Sequence, residues 1–167
     1  PSITSNGGAS TASISFAENN TAAVTTVTSN DSDGSSTACT SCTYSISGGA
    51  DAAEFAIVGS SGVLTFASTP NAESPADDGT NNEYIVIVQV SDGANTGTQT
   101  ITITVTDVNE FAPSITSNSG GSTATISFDE NNTAAVTTVT SSDSDYASTA
   151  TYSINGGADD ADFAING

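Results

Sequence analysis

Tyr84-Ile85-Val86-Ile87-Val88-Gln89-Val90 and Thr100-Ile101-Thr102-Ile103-Thr104-Val105 decide the fold. In the second run Thr alternates with an apolar residue at every step; in the first, Tyr84, Val86, Val88 and Val90 share one side. Side chains of a strand alternate between faces with a period of two, so each run offers an apolar face to a core and a second face to water. Nothing nearby repeats at the three-to-four spacing of a helix. Outward from these runs, residues 13–16, 22–28, 43–46, 55–58 and 63–66 read as further short strands. Clusters of Gly, Asn, Asp and Ser separate most of them. Seven short strands in about 110 residues predict an all-β fold, a seven-stranded antiparallel Greek-key β-sandwich.

The chain then restarts. PSITSNGGASTASISFAENNTAAVTTVTSNDSD, from Pro1, returns from Pro113 as PSITSNSGGSTATISFDENNTAAVTTVTSSDSD, with 28 of 33 positions identical. Residues 1–112 are therefore expected to form one complete domain whose last stretch, 107–112, is a linker, and residues 113–167 the N-terminal half of a second, tandem copy. The junction Asp107-Val108-Asn109-Glu110-Phe111-Ala112-Pro113 is polar and oxygen-rich. Pro1 and Pro113 each open a domain at a strand edge, where a missing N–H is harmless. The second copy reaches only the counterparts of the first four strands, and a sandwich without its last three leaves strand edges and one side of its core open. The expectation is a piece of a longer chain; completion by a neighbouring chain is the alternative.

Nineteen Asp and Glu residues, with no Lys, Arg or His, give a formal charge of −19. No salt bridge between side chains can form, and crowded carboxylates either bind cations or take up protons. Nucleic acid and anionic membrane surfaces are excluded as partners by the same charge. No apolar run is long enough for direct membrane insertion, and no basic segment marks a signal peptide. Without His, Lys or Arg there is no usual base for a Ser or Cys nucleophile and no cation for an oxyanion, so an enzyme is not expected.

Five motifs follow one another on this strand-rich repeat: Ala17-Glu18-Asn19; Asp31-Ser32-Asp33-Gly34 leading to Thr43-Tyr44-Ser45-Ile46; Asn71-Ala72-Glu73; Val90-Ser91-Asp92-Gly93; and Asp107 through Pro113. In this order the chain resembles cadherin repeats, an immunoglobulin-like sandwich family, and more closely the cadherin-like repeats of large bacterial surface proteins. Singly each motif is weak in an acidic chain; the ordered set covers residues 1–112 and as much of the second repeat as follows.

The resemblance implies calcium, a hard cation that takes about six to eight oxygens, more than any one loop here supplies. It places Glu18, Asn71 and Glu73 at the base of the first domain, Asp107, Asn109 and Glu110 in the linker, and Asp143 and Asp145 at the top of the second, with carbonyls of Val108 and Phe111 completing the shells. Asp31, Asp33 and Asp92 face the opposite way, toward ions shared with a preceding repeat. Three positions depart from the family pattern. Asn71 stands where Asp is usual, Glu110 replaces the linker Asp, and Phe111 replaces the second linker Asn. Two or three calcium ions per complete linker are expected.

Cys39-Thr40-Ser41-Cys42 lies in a four-residue expansion absent from the second copy. With no second Cys pair and no His, zinc lacks ligands, and a local Cys39–Cys42 disulfide is expected, free thiols or an interchain bridge being the alternatives. The stretch 77–82 reads as a solvated acidic turn, with a further calcium loop as its alternative. The expected function is an extracellular structural or adhesive module, secreted or on the cell surface. Its partners would be other repeats of the same chain or neighbouring chains, or cell-surface ligands. Two other readings stay open: a carbohydrate- or ligand-binding sandwich, and a filament subunit whose half-repeat a neighbour completes.

Overall fold

The computed structural model describes residues 1–32, 37–39, 41–145 and 149–166. The strands are β1 (Ser2–Ile3), β2 (Thr11–Ala17), β3 (Thr25–Thr26), β4 (Ser29–Asp31), β5 (Thr37–Ala38), β6 (Thr43–Gly48), β7 (Phe55–Ile57), β8 (Val63–Phe66), β9 (Glu83–Ser91), β10 (Thr96–Thr106), β11 (Ser114–Ile115) and β12 (Ser141–Ser142). Two units divide the chain, Pro1–Val108 and Asn109–Gly167. The division falls inside the 107–112 stretch.

The first unit is all-β. One sheet has the order β2-β10-β9-β6, a second β3-β8-β7, and a third, short one β1-β4-β5. The two longest strands are those with the clearest alternation, and they pair antiparallel, Ile101 opposite Val86 and Ile103 opposite Tyr84. Their inward residues Tyr84, Val86, Val88, Val90, Ile101, Ile103 and Val105 are all buried, while Thr104 and Thr106 face water. The first two sheets meet through aromatic rings. Phe66 of β8 stacks at 4.6 Å between centroids on Phe55 of β7 and meets Tyr84 of β9 edge-on at 5.1 Å. Such pairs add roughly 0.5–1.5 kcal/mol to the area they bury.

Two features depart from the expected strand plan. Residues 22–28, read as one strand, instead lead into two short ones: β3 pairs with β8 and β4 with β1, so the chain changes sheets between Thr26 and Ser29. The other pairings are antiparallel, but β2 runs parallel to β10, Ile14 opposite Ile103. Alternation reports which face of a strand is buried and says nothing of its neighbour's direction.

In the second unit the counterparts of β2, β6 and β7 are not strands; among its described residues only β11 and β12 pair. In the first unit β2 takes its place in the sheet beside β10, and β6 beside β9. The counterparts of β9 and β10 are not within residues 113–167, so a period-two sequence there has no ladder to join.

The hydroxyl of Tyr84 accepts the N–H of Ala76 at 3.0 Å. Burial raises its pKa above the ordinary 10.0, and the nearby Asp77 carboxylate adds to the rise. The folded state thus holds this proton more tightly than the unfolded state. Stability should be complete below pH 10 and fall as pH rises from 10 through the folded value. Urea midpoints at pH 9 and pH 11 measure the fall, and Tyr84→Phe should shrink it.

Candidate metal centre

β2 and β10 lie side by side and end together, with the N–H of Glu18 donating to the carbonyl of Thr106 at 3.0 Å. This register carries Glu18 to the start of the 107–112 stretch. Glu18 is only 2% exposed. Its Oε2 accepts the N–H of Ala72 at 2.7 Å and its Oε1 the N–H of Val108 at 2.8 Å, so one carboxylate ties the 71–73 segment to the end of β10. Glu73 and Glu18 present carboxylate oxygens within 4.8 Å of each other, and so do Glu73 and Asp107. Asn71 is half-buried, and its Oδ1 accepts the N–H of Ser74 at 2.8 Å, an Asx turn that shapes the same segment.

At the far end of the eleven-residue β10, roughly 33 Å away at strand rise, sits the other acidic group. Asp31 and Asp92 lie 3.7 and 3.8 Å from the amino group of Pro1. The N–H groups of Asn95 and Ala94, each 2.7 Å from Asp92 Oδ1, hold that carboxyl below its ordinary 3.8. Asp33 lies outside the described residues. Cys39 and Cys42 are joined by a disulfide. Their sulfurs also lie within 4.8 Å of an Asp31 carboxylate oxygen, but bonded sulfurs are not thiolate ligands.

In the second unit Asp145 is 6% exposed and accepts the N–H groups of Glu110 at 3.1 Å and Phe111 at 3.2 Å. Asp143 Oδ1 accepts the N–H of Asp145 at 3.3 Å. The side chains of Asn109, Glu110 and Phe111 are exposed, as is Val108 in the first unit.

Two carboxylates that the motif pattern did not single out are buried, Asp51 at 4% and Asp77 at 3% exposure. Residues 78–81 are exposed, as a solvated turn requires, but Asp77 and Asn82 at its two ends are buried. Each Asp77 oxygen accepts an N–H from its own loop, that of Asn81 at 2.9 Å and of Asn82 at 3.0 Å. Asp51 takes the N–H groups of Asp78 at 2.6 Å and Ile85 at 2.7 Å. Composition cannot distinguish an Asp that faces water from one that caps the turns of its own loop; the backbone donors decide.

The gathered donors near Glu18 are carboxylate oxygens, a set that suits a hard divalent cation. No cationic side chain exists to neutralise them. Each Glu18 oxygen accepts one N–H and keeps another lone pair for a cation. The residues present therefore fit calcium.

The model of the cadherin domain matches residues 12–106. No curated protein matches the sequence. Among solved structures the chain is similar to human protocadherin-24 EC1-2, with TM-score 0.60, 23% identity, and 87% of this chain covering 62% of that one. It is also similar to protocadherin gammaB7 EC3-6, a cis-dimer structure, at TM-score 0.62 and 21% identity, covering 88% and 32%. Mouse cadherin-23 EC22-24 follows at TM-score 0.55 and 19% identity, covering 88% and 44%. At these identities the structures speak to the fold, and the chain spans less than two thirds of each.

Proposed function

Since the chain belongs to the cadherin domain family, we propose that it is part of an extracellular, secreted or cell-surface protein. In it, residues 1–112 and the copy beginning at Pro113 are tandem structural or adhesive repeats stiffened by calcium at their linker. The observation that carries this reading is that carboxylate oxygens of Glu18 and Glu73, and of Glu73 and Asp107, lie within 4.8 Å of each other at one end of β2 and β10, with no Lys, Arg or His anywhere in the chain. Like charges so placed repel, and a bound cation turns that repulsion into attraction. Glu18, Asn71, Glu73 and Asp107, with the carbonyl of Val108, form the first repeat's share of the ligands. Asn109, Glu110, the carbonyl of Phe111, Asp143 and Asp145 form the share of the linker and second repeat. The family resemblance sets the expected number at two or three ions per complete linker. The upstream group, Asp31, Asp33 and Asp92, would serve a preceding repeat. Partners are other repeats of the same chain or of neighbouring chains, as the cis-dimer of protocadherin gammaB7 supports, and the role is not enzymatic. Among the described residues no helix is long and apolar enough to cross a membrane.

A filament subunit completed by a neighbour is the second reading. In the second unit a groove of about 850 Å³ is lined by Val136, Tyr152, Ile154, Phe163 and Ile165, which is where such a neighbour would add its strands. Calorimetric calcium titration with parallel light scattering tests both. Binding of two or more ions with a rise in Tm is expected of a monomer. No binding at millimolar calcium removes the calcium reading, and a mass that grows with concentration favours the filament.

A further inference from the structure

The loop between Glu73 and β9 is wired to the acidic end of the first unit by a continuous run of hydrogen bonds. Asp77 fixes the N–H of Asn82 at 3.0 Å. Asn82, 8% exposed, donates from Nδ2 to the carbonyl of Ala72 at 2.9 Å. The N–H of that same Ala72 donates to Glu18 Oε2 at 2.7 Å, and Glu18 Oε1 accepts the N–H of Val108. The carbonyl of Asn82 accepts the N–H of Val105 at 2.9 Å, which anchors the run on β10. Asp51 holds the other side of the loop through Asp78.

We propose that Asn82 is a positioning residue for the cation site, holding the 71–73 segment so that the Glu18 and Glu73 carboxylates stay close before a cation arrives. The inference rests on the calcium reading above. Carboxylates within 4.8 Å drive each other apart in the absence of a cation, and the free energy of bringing them together would otherwise be subtracted from binding. A clamp on Ala72, the residue between two ligands, removes that cost in advance. Two features mark Asn82 as chosen for this bond and not for general stability. Its φ of +64° lies in the left-handed region that Asn tolerates and most residues do not. Its Oδ1 is buried without a hydrogen-bond partner, a burden that an apolar residue would avoid.

Asn82→Gly tests it, because Gly keeps the left-handed backbone while deleting the amide. Asp77→Asn, which removes one of two acceptors from the loop and leaves Asn82 in place, is the milder second variant. Calcium titration on the full chain should show affinity lowered about tenfold in Asn82→Gly and about threefold in Asp77→Asn, tenfold being 1.4 kcal/mol. Amide exchange in calcium-free protein should show Ala72 losing protection in both variants while Ile101 and Ile103 stay slow. A residue that only stabilised the fold would lower Tm and leave the affinity of the folded protein as it was. Unchanged affinity in a folded variant, whatever the exchange shows, overturns the proposal; should Asn82→Gly not fold, Asp77→Asn decides. If the unaltered chain binds calcium and the variants bind equally, this inference alone fails. If the unaltered chain binds none, the calcium reading fails and takes the inference with it.

Discussion

Glu18→Ala is expected to lower calcium affinity tenfold or more, about 1.4 kcal/mol or above, and to destabilise the calcium-free first unit by roughly 1–3 kcal/mol. The second figure follows from the two N–H groups that Glu18 satisfies. Truncation leaves the buried N–H of Ala72 without its acceptor, at about 1–3 kcal/mol for a buried donor left unmade, while the N–H of Val108, on a residue 41% exposed, can turn to water and adds less. Relief of repulsion from Glu73 offsets part of this. Asn71→Ala is the control. Its Oδ1 serves only the N–H of Ser74 in a local turn, so both effects should be smaller. Asn71→Asp keeps that acceptor, restores the carboxylate usual in the family, and should tighten binding. Calcium titration and urea unfolding on the three variants are the measurement. If Glu18→Ala leaves both affinity and stability untouched while Asn71→Asp weakens binding, the acidic group is only a solvated surface.

Gly49→Ala should cost the first unit more than about 3 kcal/mol, while Gly157→Ala, the same place in the second copy, should leave the main unfolding transition where it was. Gly49 follows the register shift of β6 between Ile46 and Gly48. A Cβ there would overlap the carbonyl oxygen of Ile85 and stand 2.6 Å from Val86 Cα, and φ is +112°. These are backbone atoms of β9, the strand at the centre of the core, and they cannot rotate away. Gly157 also has positive φ, +137°, but the nearest atom to an added Cβ is Asp160 Cβ at 4.0 Å. Thermal unfolding followed by circular dichroism compares the two. Equal shifts would mean that φ alone, and not the close approach of β9, sets the demand for glycine at Gly49.

The contrast between those two glycines shows where sequence reading ends. Alternation alone identified the buried faces of residues 84–90 and 100–105, because a period of two needs only the strand's own geometry. The restart at Pro113 marks the expected junction, and the order of the acidic motifs points to Glu18, Glu73 and Asp107; carboxylate oxygens of Glu18 and Glu73, and of Glu73 and Asp107, lie within 4.8 Å of each other. Charge without a single cationic side chain limited the chemistry to oxygen ligands. The parallel pairing of β2 with β10, the change of sheet between Thr26 and Ser29, and the burial of Asp51 and Asp77 each depend on a partner distant in the chain, which no local pattern contains. The plainest case is a pair of near-identical sequences with different outcomes. Phe16 and Phe55 are each 6% exposed, but their counterparts Phe128 and Phe163 are 43% and 57% exposed. Local sequence sets which face of a strand is apolar; whether that face is covered, and whether the strand forms at all, is decided by the neighbour that supplies its hydrogen bonds and its core.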